Sequence, residues 1–178
     1  KFKKAGFQVF AQYLPKNGNA GEIDLIVIYE NHIIVMEIKS SYIRSSIKEI
    51  YEYRNFTLKK AAYQLTKKVE YIKYDFVQEY FEDNKDVKIH SWIVDTSLEF
   101  DHEYFNGHLK VSLDELIIAL NSDSSFMQAI IEGNLEEREE ITEVKCIEFI
   151  KNIENNKFWT EQLNNYEDSI EQMRAKFV

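Results

Sequence analysis

Two short apolar runs separated by a polar pair constrain this chain most. Ile23-Asp24-Leu25-Ile26-Val27-Ile28 is followed, after Glu30-Asn31, by Ile33-Ile34-Val35-Met36-Glu37-Ile38-Lys39. Both runs are rich in β-branched residues, and the break suits a two-residue turn, so the pattern predicts a β-hairpin. With Glu30 and Asn31 as the loop, Asp24 falls directly opposite Glu37 and Glu22 directly opposite Lys39. Side chains alternate between faces along a strand, and directly opposed residues share a face. Glu22, Asp24, Glu37 and Lys39 are therefore expected on one face at the open end of the hairpin. The other residues of that face are Ile26, Ile28, Ile33 and Val35.

Two carboxylates facing each other across a ladder, with Cβ atoms roughly 5 Å apart, repel. A stable fold places a positive charge between them. A divalent cation, Mg²⁺ or Mn²⁺, is the expected occupant, because Mg²⁺ takes one or two carboxylates together with water and substrate phosphate oxygens. The Lys39 ammonium, on the same face, then lies beside any phosphate the ion holds. The plain alternative is a solvated, charged hairpin corner. Against it stands the apolar character of the rest of the face.

The run Gly21-Glu22-Ile23-Asp24-Leu25-Ile26, continued across the hairpin by Glu37-Ile38-Lys39, resembles the PD-(D/E)xK nuclease motif. It is most similar to the nuclease-related domain branch of that superfamily. The resemblance implies a restriction-endonuclease-like αβββαβ core and metal-dependent hydrolysis of phosphodiester bonds, of DNA rather than RNA. It makes Asp24 and Glu37 metal ligands, the Ile38 carbonyl a further ligand and Lys39 the catalytic lysine. Gln64, in Ala61-Ala62-Tyr63-Gln64-Leu65, resembles the helix glutamine that orients a water or a phosphate oxygen in many relatives. Glu22 is an auxiliary candidate that tunes or pairs with Lys39. The chain departs from the family where a helix before the first strand often supplies a glutamate: no acidic residue precedes Glu22, so that ligand is either upstream of Lys1 or absent. That departure supports a second reading, a nuclease fold kept for nucleic-acid binding or assembly with catalysis weak or lost.

Net charge is −9, which at first disfavours a polyanionic partner. Its distribution reverses the argument. Residues 1–122 carry a balance of −2 and residues 123–178 one of −7, while residues 39–73 hold nine basic side chains against three acidic ones. This basic stretch directly follows the proposed metal site. Within it Arg44, Lys60, Lys67 and Lys68 are the expected nucleic-acid contacts. Residues 40–56 mix tyrosine, arginine and serine and read either as a substrate-facing loop or as a connection whose tyrosines pack on the core.

The order of elements predicts an α/β protein: a mixed sheet flanked by helices over 1–121, followed by an acidic helical extension over 122–178. Residues 1–6 read as the tail of a helix stopping at Gly6, and Phe7 to Leu14 as a strand. A long helix is expected from Thr57 to about Phe81, with Ala62, Leu65, Val69, Ile72 and Phe76 as its apolar stripe. Lys88 to Asp95 is a further strand, Leu109 to Val111 a short edge strand, and Ser112 or Asp114 caps a helix through Leu120. Residues 121–125 are the expected boundary. Beyond it, Val144, Ile147, Ile150 and Ile153, then Trp159, Leu163, Tyr166, Ile170, Met173 and Phe177, form two stripes joined near Asn155-Asn156. This helical hairpin packs on the core or seats a second copy or a partner protein.

One cysteine, Cys146, forms no internal bridge and fits a reducing cytoplasm. Apolar runs are far too short to span a membrane, so no membrane association is expected. The start at Lys1, without a methionine, reads as a piece of a longer chain. His102 and His108, with Asp101 and Glu103, match no regular zinc-ligand spacing and are set aside.

Overall fold

The computed structural model describes residues 1–16, 18, 20–81, 86–121, 146–157, 159–160 and 164. Strands β1 (Gln8–Tyr13), β2 (Ile23–Tyr29) and β3 (His32–Lys39) form an antiparallel meander. The β2–β3 register pairs Leu25 with Met36 and Ile28 with Ile33. This is the register expected from a Glu30-Asn31 loop, and Glu30 adopts the left-handed φ of 50° that a tight hairpin turn favours. Strand β4 (Lys88–Asp95) runs parallel to β3, and β6 (His108–Ser112) runs parallel to β4. With β5 (Tyr104–Phe105) on the outside, the six-stranded mixed sheet has the order β1-β2-β3-β4-β6-β5.

The short strand expected at an edge is therefore interior. Tyr104–Phe105 turns through Asn106-Gly107, both at positive φ, and covers β6. Every residue of β6 is buried, including His108, Lys110 and Ser112, each of which has polar partners. Alternating polar residues gave β6 the look of a half-exposed edge.

A parallel β3–β4 pair needs a long crossover. Here it is a continuous helical run: α1 (Ile47–Glu52), a π-helical turn (Tyr53–Leu58), α2 (Lys59–Tyr71), a second π-helical turn (Ile72–Phe76) and α3 (Val77–Tyr80). The run starts well before Thr57, where the apolar stripe placed its beginning. Its start is fixed by a capping box: Ser46 Oγ accepts from the Glu49 N–H at 3.2 Å, and Glu49 Oε2 accepts from the Ser46 N–H at 3.1 Å. Residues 40–56 are thus a loop only through their first part, and the Ser-x-x-Glu signal carried the difference.

The sheet is covered on both faces. Under the crossover, Ile26, Ile28, Ile33, Val35 and Ile93 pack with Leu58, Ala61, Ala62 and Leu65. On the other face Val27, Ile34, Met36, Trp92, Val94 and Val111 pack with Leu116 and Leu120 of α4 (Leu113–Asn121) and with Cys146, Phe149, Ile150 and Ile153 of α5 (Cys146–Glu154). Double coverage is why β3 reads as an unbroken apolar run. Ser112 Oγ accepts from the Glu115 N–H at 3.3 Å and starts α4 as expected. Helix α5 carries the first of the two C-terminal stripes. The expected linker 122–125 and Leu163, Tyr166, Ile170, Met173 and Phe177 lie outside the described residues.

Candidate active site

At the open end of the hairpin, β2 and β3 part after the Leu25–Met36 pair. Asp24 Oδ2 accepts from the main-chain N–H of Ile38 at 2.7 Å, closing the gap. Its other oxygen, Oδ1, lies 3.1 Å from the ammonium of Lys68. Glu37, only 3% exposed, accepts from the same ammonium through Oε2 and from Lys39 Nζ through Oε1 at 2.6 Å. The opposed acids expected from the register do share one cation. That cation belongs to the protein.

Lys68 is among the expected nucleic-acid contacts; the structure buries it, 4% exposed, on the sheet side of α2. Its place follows from helical spacing. Ala61, Leu65 and Lys68 recur at steps of four and three, so they fall on one face. A buried ammonium is costly unless paired, and two carboxylates compensate it here.

Beside Lys39 in the parallel register stands Asp95, fully buried at the end of β4. It accepts from the Tyr53 hydroxyl, from Ser41 Oγ at 2.8 Å and from the Ser97 N–H at 3.4 Å. Burial and the Asp95 carboxylate together push the Tyr53 phenol well above its ordinary range. Sequence reasoning missed both residues; the strand-end position of Asp95, in line with Lys39, was the available signal. Arg44 stacks on the Tyr53 ring, 3.2 Å from its centroid, and pairs with Glu99. It is engaged in the fold at a position where nucleic-acid contact was expected.

The remaining expected residues are distributed around this centre. Ile38 is 46% exposed at the site. Glu22 is exposed, and among the described residues no ion pair joins it to Lys39, which bonds Glu37 instead. Gln64 is half-buried, one helical turn before Lys68. Lys60 and Lys67 are exposed, the latter with its ammonium 4.6 Å from the centroid of the Tyr63 ring.

A second polar cluster lies apart from these residues. Asp101, His102 and Glu115 bring one ligand-type atom each within 4.8 Å of one another. His102 Nε2 and Glu115 Oε2 are 2.7 Å apart, Lys110 Nζ lies 3.2 Å from Asp101 Oδ1, and the Trp159 indole N–H donates to both acids. Burial raises the Glu115 carboxyl and lowers the Lys110 ammonium. The set-aside zinc grouping is split: His108 bonds Ser91 and Thr66, and Glu103 pairs with Arg54. Glu115, which sequence spacing did not connect to His102, completes the observed trio.

With the geometry in view, comparison with known proteins gives one family: the nuclease-related domain, matched over residues 1–96. No curated protein sequence matches the chain. Among solved structures, the small subunit of the heterodimeric restriction endonuclease R.BspD6I aligns with 86% of this chain and 83% of that one. Identity is 13% and the TM-score 0.35. Among the described residues, no helix is long and apolar enough to cross a membrane.

Proposed function

We propose, since this chain belongs to the nuclease-related domain family, that it hydrolyses phosphodiester bonds of DNA with the help of Mg²⁺ or Mn²⁺. The observation that carries the reading is the convergence of Asp24 Oδ1 and Glu37 Oε2 on a single positive charge. Two carboxylates aimed at one point, with the Ile38 carbonyl directly after Glu37 in sequence, form an all-oxygen donor set suited to a hard divalent ion. Such an ion, when bound, supplies a Lewis acid that polarises a phosphoryl oxygen and acidifies water. The chain's own residues do the rest. Glu37 Oε1 fixes the Lys39 ammonium at the mouth of the site, where it offsets negative charge developing on the attacked phosphate. Gln64, half-buried on α2 one helical turn before Lys68, is the group proposed to orient a water or a phosphate oxygen. Exposed Lys60 and Lys67 extend the positive surface along the crossover, where backbone phosphates of DNA are held.

A specific observation favours a second reading. Every carboxylate oxygen of the pair already has a protein donor, which suits a fold kept for nucleic-acid binding or assembly. The six-stranded mixed sheet, covered on both faces, is common to both readings; the helix expected to end at Gly6 is a turn in the structure. Incubation of plasmid and linear DNA with Mg²⁺ or Mn²⁺ separates them. Cleavage by the wild type that disappears in Asp24→Ala and Lys39→Ala supports the enzyme; binding without cleavage supports the module.

A further inference from the structure

The charges at the acid pair balance: two carboxylates face two ammoniums. Asp24 Oδ2 takes the Ile38 N–H, Asp24 Oδ1 and Glu37 Oε2 take Lys68, and Glu37 Oε1 takes Lys39. A divalent ion added to this set, with both ammoniums in place, would leave a net charge of about +2 in a largely buried volume, an arrangement Coulomb energies oppose. One ammonium has to leave. Lys39 already reaches the surface, with 27% of its side chain exposed, and among the described residues its one ion pair is with Glu37. Lys68 stands between the two acids, on the oxygens that would have to grip the ion.

We propose that Lys68 is the resident counter-cation of this site: it holds Asp24 and Glu37 together until a divalent ion arrives, and the ion displaces it. The inference rests on reading Asp24 and Glu37 as metal ligands. Loading the site is then an exchange of one cation for another, and the two carboxylates stay in place during it. The four-carbon stem of lysine, flexible and tipped with a compact charge, suits a group that swings aside. A fixed fork like arginine's would not. The exchange also makes ion binding weaker than the bare acid pair would give. Lys68 is accordingly a positioning residue, acting on the ligands and not on the substrate.

The test follows Lys68 itself in the wild-type chain. Lysines are acetylated with an N-hydroxysuccinimide ester and read by mass spectrometry, with and without Mn²⁺ at a concentration that calorimetry shows to be saturating. Lys68 is expected to be protected without the ion and to react about tenfold faster with it, a change an immobile buried pair does not give. In parallel, Lys68→Met is expected to bind Mn²⁺ about tenfold more tightly than wild type, and Lys39→Met within about threefold. An unchanged Lys68 labelling rate in the Mn²⁺-loaded protein overturns the proposal. So does an equal gain in Lys68→Met and Lys39→Met, which would reduce Lys68 to one nearby charge among others. If Lys68→Met does not fold, the labelling of the wild type decides alone. Absence of Mn²⁺ binding in wild type and Lys68→Met alike, or binding unaffected by Asp24→Asn, removes the metal-site reading beneath the proposal.

Discussion

Asp24 accepts the main-chain N–H of Ile38 through one carboxylate oxygen while the other faces the Lys68 ammonium. The side chain is therefore both a strand-end clasp and half of the acid pair, and two substitutions separate these roles. Asp24→Asn keeps an oxygen acceptor for Ile38, whereas Asp24→Ala removes it. Cleavage is expected to fall at least about a hundredfold in both. Urea denaturation should place Asp24→Ala about 1 kcal/mol below Asp24→Asn in stability, the net worth of one hydrogen bond. Equal stabilities would mean that the Ile38 contact does not hold the hairpin end.

Lys39 separates binding from chemistry. Its ammonium bonds Glu37 Oε1 at 2.6 Å, while Lys68 holds Glu37 Oε2 and Asp24 Oδ1. In Lys39→Met, single-turnover cleavage should drop by about two orders of magnitude or more while Mn²⁺ affinity measured by calorimetry is kept. Loss of both together would place Lys39 among the groups that build the ion site.

Tyr53 tests the neighbouring network. Its hydroxyl donates to the fully buried Asp95, whose other donors are Ser41, Thr96 and the Ser97 N–H. Tyr53→Phe removes one donor from a buried carboxylate and leaves the ring beneath Arg44 intact. The expected cost, read from denaturant unfolding, is about 1.5–3 kcal/mol, the range for hydrogen bonds to charged groups. A cost near zero would show that Ser41 and Ser97 hold Asp95 without help.

Period and turn chemistry made the centre of this fold legible. The β-branched runs on either side of the Glu30-Asn31 break gave the hairpin, and the two-residue loop set its register and with it the face shared by Asp24 and Glu37. Position on a helix was harder to read for charged residues. Lys68 lies in phase with Ala61 and Leu65, yet its charge suggested solvent, and only the facing acids explain its burial. Asp95 and Glu115 were missed for a different reason: their partners, Tyr53 with Ser41 and His102 with Trp159, come from distant stretches that no local spacing connects, and a strand-end position alone did not single out Asp95.

Helix α5 offers a test of packing beyond the family match, which ends at residue 96. Phe149 is fully buried and meets the rings of Phe2, Phe7 and Trp92 at centroid distances of 5.9, 5.9 and 5.8 Å. Phe149→Ala is expected to cost about 3–5 kcal/mol of stability by thermal or denaturant unfolding. A loss below about 1 kcal/mol would mean that α5 adds little to the core of the sheet.

Acid sensitivity is expected to come partly from His108. The ring is buried, bonded through Nδ1 to Ser91 at 2.7 Å and through Nε2 to Thr66 at 2.9 Å, and burial holds its pKa below the ordinary 6.5. In the unfolded chain the same ring takes a proton near pH 6.5; in the folded protein it resists protonation until lower pH. Protons therefore bind preferentially to the unfolded state in that window. Stability is full above pH 6.5 and declines as pH falls toward the folded value, by at most about 1.4 kcal/mol per pH unit for one group. His32, also lowered by burial and by His90, acts in the same direction, and Glu115, raised by burial, acts in the opposite one. Comparing wild type with His108→Gln cancels these shared groups. Between pH 7.5 and 5.5 the stability of His108→Gln, from urea midpoints at each pH, should fall less steeply than that of the wild type. Parallel slopes would mean that the folded protein takes up the His108 proton as readily as the unfolded chain does.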